Sequence, residues 1–282
     1  MKVLITGAGG QLGQDLVAAF EGWEVVAADH ARLDVADRDQ ALGAITSLCP
    51  DAVVHAAAWT AVDACEGDPD RAFRVNALGA RHVADGCRRV GAHLCLISTD
   101  YVFDGASPAP YVEWDPIHPL SVYGRSKAAG EHEAVTLAPG ATIVRTSWLS
   151  GAGGPNFVKT MLRLADGDGE VTIVDDQHGC PTFTADLAVA VRRLVSARLP
   201  GVFHVTNQGT TTWWGLACEV FKLAGADVGR VRPISTAELR PPRPAPRPVN
   251  SVLDNAALRL SGLPLLPHHT EPLGQLVKVL CA

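Results

Sequence analysis

Val3-Leu4-Ile5-Thr6-Gly7-Ala8-Gly9-Gly10-Gln11-Leu12-Gly13 decides the fold. A short apolar run enters a glycine-rich turn, and a helical pattern over 11–20 leaves it. Gly7, Gly10 and Gly13 give the spacing GxxGxxG, with Gly9 a further small residue. Such glycines let the backbone approach a pyrophosphate whose charge rests on the N-terminus of the following helix. A glycine pattern alone marks a tight turn; between a strand and a helix it reads as a dinucleotide-binding turn.

Working outward, apolar runs at 3–5, 23–28, 51–55, 92–97 and 141–145 alternate with helical patterns at 11–20, 37–48, 69–90 and 123–137. Short apolar strands separated by helices imply parallel βαβ units with both sheet faces covered. The fold class expected is α/β, a doubly wound parallel sheet of Rossmann type with its ligand at the C-terminal strand ends. After Trp148 the pattern loosens into a helix through Met161, a strand at 171–174, a helix at 186–195, a strand at 202–205 and a helix at 212–224. A smaller, interleaved C-terminal α/β lobe follows from this. Residues 1–149 and 184–205 form the dinucleotide-binding domain, and residues 150–183 and 206–282 the substrate lobe. The Pro/Arg run at 240–248 reads as a stiff connector.

Composition sets the outer bounds. The 282 residues are 47% hydrophobic, enough for a sizeable core, and a net charge of −6 argues against nucleic acid or an anionic membrane as partner. No stretch approaches ~18 uninterrupted apolar residues, so no membrane span is expected. The chain enters its first strand at once, leaving no room for a signal peptide. Seven cysteines, odd in number and without CxxC spacing, read as reduced packing residues of a cytoplasmic protein that binds no metal.

The chemistry concentrates in Val122-Tyr-Gly-Arg-Ser-Lys127. Tyr123 and Lys127 share one helix face, and an ammonium there lowers the tyrosine pKa toward that of a usable proton donor. Ser98-Thr99-Asp100 ends the fourth strand, where a hydroxyl reaches the same substrate oxygen; without the Tyr/Lys pair it would be a turn or cap. Asp29, roughly 20 residues beyond the glycine loop, suits a ribose hydroxyl and favours NAD, whereas Arg32 suits a 2′-phosphate. Asp34 and Val35 offer a carboxylate and an apolar wall for adenine. Ala56-Ala57-Ala58 offers small residues for close approach, or ordinary helix–sheet packing. The ten histidines, His55 and His268-His269 among them, read as surface or satisfied core residues.

Three signatures carry a resemblance: Ala57-Ala-Trp-Thr-Ala-Val-Asp63, Ser98-Thr-Asp-Tyr-Val-Phe-Asp-Gly105 and Val122-Tyr-Gly-Arg-Ser-Lys127. Arg145-Thr-Ser-Trp148, Asn156-Phe157, Asp176-Gln177, Pro181-Thr182 and Arg247-Pro-Val-Asn-Ser251 extend it nearly end to end. The chain resembles the extended short-chain dehydrogenase/reductase superfamily and, within it, the dTDP-4-dehydrorhamnose reductase family. The resemblance implies NADPH or NADH as cofactor and a dTDP-linked 4-keto-6-deoxy sugar as substrate. By the same resemblance Gly10, Gln11 and Leu12 hold the pyrophosphate, Asp29 the ribose, and Asp34 and Val35 the adenine. Ala58, Trp59, Thr60 and Ile97 line the nicotinamide end. Tyr123 is the implied proton donor, with Lys127 on the nicotinamide ribose. Thr99, Asp100 and Trp148 contact the sugar; Asn156, Gln177, Pro181, Thr182 and Arg247 grip the thymidine diphosphate.

His55 and Trp59 depart from the commoner residues of that family. Some relatives dimerise through magnesium held by glutamates; the shorter Asp15 and Asp186 at the matching positions point to a monomer. Two rival readings stay open: a 4-ketoreductase for another dTDP-deoxysugar, and a non-catalytic cofactor-binding regulatory subunit.

Overall fold

The computed structural model describes residues 1–281. Its centre is a six-stranded sheet built from β1 (Lys2–Thr6), β2 (Glu24–Ala28), β3 (Ala52–His55), β4 (His93–Thr99), β5 (Thr142–Thr146) and a later strand, Gly201–His204. The order is Gly201–His204, β5, β4, β3, β1, β2, and every neighbouring pair is parallel. The chain reverses direction between β1 and β3, which opens a crevice at their C-terminal ends.

Val3, Ile5 and Val54 enter the core on one face of the sheet, together with Leu16 of α1 (Gln11–Ala19). Leu4, Val53 and Leu96 enter it on the other, with Ile45 of α2 (Arg38–Leu48) and Val83 of α3 (Gly79–Val90). Period-two alternation in a sheet covered on both faces thus yields strands whose central positions are apolar toward both faces.

The helix expected over 69–90 is interrupted. Pro69–Phe73 and α3 are joined by a π-helical turn, Arg74–Leu78, that presents buried Asn76. The Asn76 amide brackets the Trp59 backbone, accepting from its N–H at 2.8 Å and donating to its carbonyl at 3.1 Å. It also donates to Ser126 at 2.9 Å, so the extra residue of the π turn aims a side chain at the site. α4 (Val122–Leu137) begins at a Ser121 cap that accepts from Gly124 N–H, and Glu66 accepts from Val122 N–H at 2.7 Å.

A second apolar cluster gathers α5 (Phe157–Ala165), β6 (Val171–Val174), α7 (Trp213–Leu223), β8 (Val231–Ile234) and α8 (Thr270–Cys281), if Gly201–His204 is β7 and Thr184–Ser196 is α6. β6 and β8 pair in parallel. α8 is absent from the sequence reading; its Leu273, Leu276 and Val277 are buried at helical spacing. Leu258 and Leu266, by contrast, pack under the main sheet. All seven cysteines are free thiols, but Cys49 and Cys281 are exposed and so are not packing residues. No helix among the described residues is long and apolar enough to cross a membrane.

Candidate active site

A cleft of about 430 Å³ opens at the strand ends of β1, β3 and β4. Gly7, Gly10, Gln11, Leu12, Gly13, Ala58, Thr60, Ile97, Thr99, Asp100, Tyr123, Lys127 and Trp148 line it. Gly7 and Trp148, 141 positions apart in the chain, therefore share one cleft because the parallel strands end there together. Gly7 adopts φ +69°, and a Cβ on it would press on the Ala57 backbone at 2.7 Å. Its glycine character thus closes the β1 turn onto β3. Gly10 is the N-cap of α1, with no side-chain cap and no acidic residue in the first turn. The first N–H groups of α1 are left for an anion, which fits the pyrophosphate of a dinucleotide.

Gln11 contributes backbone only. Its Nε2 donates to Leu149 O at 3.0 Å, and its Oε1 accepts from Gly151 N–H at 3.2 Å and Asn156 Nδ2 at 2.7 Å. Asn156 spends the rest of its amide on Gly151 O and on the N–H of Lys159, capping α5. The polar atoms of Asn156 thus tie the start of α5 to the glycine loop.

Asp29 and Arg32 stand exposed at the rim beside Gly9. Asp29 Oδ1 accepts from Arg32 N–H at 3.0 Å, and the Arg32 guanidinium folds back onto Ala27 O at 3.3 Å. Asp34 Oδ1 accepts from Ala36 N–H at 3.0 Å. Val35 is buried against Gly79, where a Cβ would meet its Cγ2 at 3.0 Å; its side chain is core rather than a ligand wall. Ala57 underlies Gly7, and the Trp59 ring lies 4.5 Å beneath the Arg71 guanidinium, so neither lines the cleft.

Tyr123 and Lys127 are both buried beside the cleft. Lys127 Nζ donates to Ile97 O at 2.6 Å. Burial draws the lysine down to about 8, with Glu131 pulling it back up. Burial raises the Tyr123 phenol above its ordinary range, opposed by the Thr99 hydroxyl beside it. In the chain without cofactor, burial therefore dominates the Tyr123 phenol, and Lys127 Nζ is spent on Ile97 O. Desolvation outweighs an ammonium that is engaged by a carbonyl. Thr99 Oγ1 donates to Asp100 Oδ1 at 3.0 Å and accepts from Tyr101 N–H at 3.2 Å. Burial pushes Asp100 up to about 6, opposed by the nearby Ser251 and Thr99 hydroxyls, and its Oδ2 has no hydrogen-bond partner among the described residues.

The far wall comes from Trp148 and the second apolar cluster against which it packs. Trp148 holds φ +49° and stacks on Trp213 at 3.7 Å between centroids. A non-glycine residue in the left-handed region is strained, a feature that clusters at ligand sites. Thr182 N–H donates to Trp148 O at 3.4 Å, and Thr182–Phe183 pairs with Leu149–Ser150. Thr182 thus braces Trp148, and neither it nor Pro181 lines the cleft. Gln177 is buried, its amide donating to Thr236 at 2.9 Å. Arg247 forms a bidentate pair with Asp63 at 2.6 and 2.8 Å and also donates to Ala245 O. Neither Gln177 nor Arg247 lines the cleft either.

Sequence reasoning assigned no role to Asp63, Thr146 or Trp213, though the last two line the cleft. Nor did it single out Tyr101, which packs edge-on to Tyr123 at 5.7 Å. Thr146 and Tyr101 lie inside quoted signatures; nothing local marks Trp213. Asp186, weighed as a metal ligand, accepts from Asn207 at 2.7 Å.

A doubly wound sheet, an uncapped helix behind a glycine turn and a Tyr/Lys helix at the switch point define a Rossmann-type short-chain reductase. Residues 1–281 match the family model of the RmlD substrate binding domain. The chain is 46% identical to a dTDP-4-dehydrorhamnose reductase of Streptomyces griseus, with 99% of this chain and 93% of that one covered. It is 43% identical to a dTDP-4-keto-6-deoxy-D-glucose reductase of Streptomyces niveus, over 99% and 97% of the two chains. A crystal structure of the Bacillus anthracis dTDP-4-dehydrorhamnose reductase in complex with NADP superposes with a TM-score of 0.95 at 40% identity, covering 99% of each chain. The chain belongs to the RmlD substrate binding domain family and is an oxidoreductase.

Proposed function

We propose that this chain reduces the C4 keto group of dTDP-4-dehydro-6-deoxy-L-mannose to give dTDP-L-rhamnose, using NADPH or NADH. The observation that carries the reading is the meeting of Thr99, Tyr123 and Lys127 in the glycine-loop cleft of a member of this reductase family. Residues 1–149 and 184–205 bind the cofactor, and residues 150–183 and 206–282 the nucleotide sugar.

A bound reduced nicotinamide supplies the hydride. The open N–H groups of Gln11 and Leu12 hold the pyrophosphate charge at the start of α1, with Gly10, its N–H turned back on Gly7 O, giving the close approach. Asp29 accepts from the adenosine ribose, with Arg32 and Asp34 beside it. Ala58, Thr60 and Ile97 shape the nicotinamide end. Thr99 turns its hydroxyl from Asp100 Oδ1 to the substrate carbonyl oxygen, and Tyr123 passes its phenolic proton to that oxygen as charge develops. Lys127 steadies the phenolate left behind, because an ammonium favours the ionised form of its neighbour. The partnerless Asp100 Oδ2 accepts a sugar hydroxyl, and Trp148 on its Trp213 support covers the sugar face. Arg247 engages the diphosphate by exchanging Asp63 for it. The reaction is cytoplasmic, and a monomer suffices for it.

The test supplies dTDP-4-keto-6-deoxyglucose with and without a 3,5-epimerase and follows NADPH loss and the product. Oxidation only with the epimerase, yielding dTDP-L-rhamnose, supports the reading. Oxidation without it supports a 4-ketoreductase for another dTDP-deoxysugar, the reading favoured by the Streptomyces niveus relative. Tight cofactor binding with no oxidation supports a regulatory subunit and overturns the enzyme reading.

A further inference from the structure

Tyr123, Lys127 and Glu131 occupy successive turns on one face of α4, and all three are buried, at 8, 4 and 6% exposure. The proposed reduction uses the first two and leaves Glu131 without a task. A buried carboxylate persists only when paired and hydrogen-bonded. Arg145 Nε and Nη2 grip both Glu131 oxygens at 2.7–3.2 Å, and the Ser98 hydroxyl donates to Oε1. Ser98 lies in β4 between Ile97, whose carbonyl holds Lys127, and Thr99. Arg145 stands opposite Ser98 in the β4–β5 register. One carboxylate therefore ties the Tyr/Lys helix to the strand that carries both the lysine's acceptor and the hydroxyl beside the tyrosine.

We infer that Glu131 is a positioning residue for the reduction. It is a fixed buried anion one turn from Lys127 that keeps the ammonium charged and holds α4 in register with β4. The inference rests on the proposed roles of Tyr123 and Lys127. The groups facing Lys127 are few. Glu131 and Tyr123 come from its own helix, and the Ile97 carbonyl comes from β4. His55 comes from β3; burial first, and then Lys127, holds it down near 3, and Thr6 Oγ1 lies 2.7 Å from its Nδ1. Arg145 of β5 stands behind Glu131, and Asp100 acts on Tyr123. Burial drives Lys127 toward the neutral amine, and Glu131 opposes it.

The test is a titration of the cofactor-free chain labelled with ¹³Cε-lysine, whose five lysines keep the spectrum simple. Lys127→Met assigns the resonance that titrates near pH 8. In Glu131→Gln that midpoint falls by about one pH unit or more. The alkaline limb of kcat/KM falls with it, because the charged amine is lost at lower pH. Glu131→Gln strands a buried guanidinium, so the double variant Glu131→Gln/Arg145→Met provides the same readout without one. Glu131→Asp, which keeps the charge, restores most of the limb. An unmoved Lys127 midpoint in a folded Glu131→Gln or double variant overturns the inference and leaves Glu131–Arg145 as packing alone. Near-normal turnover in Lys127→Met overturns the catalytic reading instead, while the titration still decides what Glu131 does to Lys127.

Discussion

Glu131–Arg145 and Asp63–Arg247 are both arginine–carboxylate pairs with closest contacts at 2.6–2.7 Å, set in different surroundings. The first has side chains 8% and 6% exposed, inside the sheet domain between α4 and β5. The second has side chains 34% and 10% exposed, where the loop at 240–248 from the C-terminal part docks on the short helix Val62–Gly67 after β3. Water cannot compete for the buried pair, so it acts as a fixed part of the frame. In the second pair water reaches Asp63, so the proposed exchange of Asp63 for a ligand anion at Arg247 costs little. On the proposed reading, a site that must hold a proton donor rigidly yet admit a charged substrate uses one pair of each kind.

The contrast is open to test, beginning with the chemistry that the rigid side supports. Tyr123→Phe should lower kcat by ~10²–10⁴-fold with cofactor affinity within about twofold, since the phenol contributes as a general acid. Stopped-flow reduction and fluorescence titration check both halves; ordinary turnover would remove Tyr123 from the chemistry.

The next test is stability. Glu131→Ala should cost ~3–5 kcal/mol in urea unfolding because it leaves Arg145 buried and unpaired. Asp63→Ala should cost under ~1 kcal/mol. The reverse ranking would break the comparison.

Acid should act on the rigid side as well. Burial holds His55 and His204 down to about 3, with Lys127 and Arg145 respectively adding to the effect. The unfolded chain therefore binds their protons first. Stability is full above the unfolded value near 6.5 and falls as pH drops from there toward 3. Between pH 6 and 5 the two together should cost about 2 kcal/mol. A flat urea midpoint across that unit would show that neither histidine is buried neutral.

The smallest effect belongs to the rim. Asp63→Asn should change stability by less than ~1 kcal/mol. It should shift substrate KM severalfold while kcat stays within about twofold. The Arg247 hydrogen bond holds the Asp63 carboxyl below its usual range. Its contribution is present above the unfolded value near 4 and is lost as pH falls through the folded one. A large kcat loss in Asp63→Asn would place the strap within the chemistry.

Much of the sheet domain is legible in the chain itself. The expected strands lie within one or two residues of β1 to β5, because buried parallel strands carry a continuous apolar run through their middles and end at glycine, proline or polar turns. The interruption at Arg74–Leu78 leaves no local mark, since a π turn adds one residue to an otherwise helical pattern. Of the candidate site, the residues on strand ends and the first turn of α1 gather in the cleft as their spacing implies. Asn156, Gln177, Thr182 and Arg247 do not join them. Each has a polar atom bonded to a distant partner that no spacing reveals.

Covalent geometry and local periodicity are properties of neighbouring residues, so the sequence by itself determines the glycine turn after β1 and the alternation of strand and helix. It also determines the Tyr123/Lys127 face of α4, since a four-residue step is one helical turn wherever the helix lies. Tertiary structure alone decides which charges meet and which are dry. Arg247 reaches Asp63 across 184 residues, and Asn156 reaches Gln11 across 145. Burial, rather than the near neighbour, sets Lys127 near 8 and raises Tyr123. Desolvation depends on everything packed around a group, and that surrounding exists only after the chain has folded.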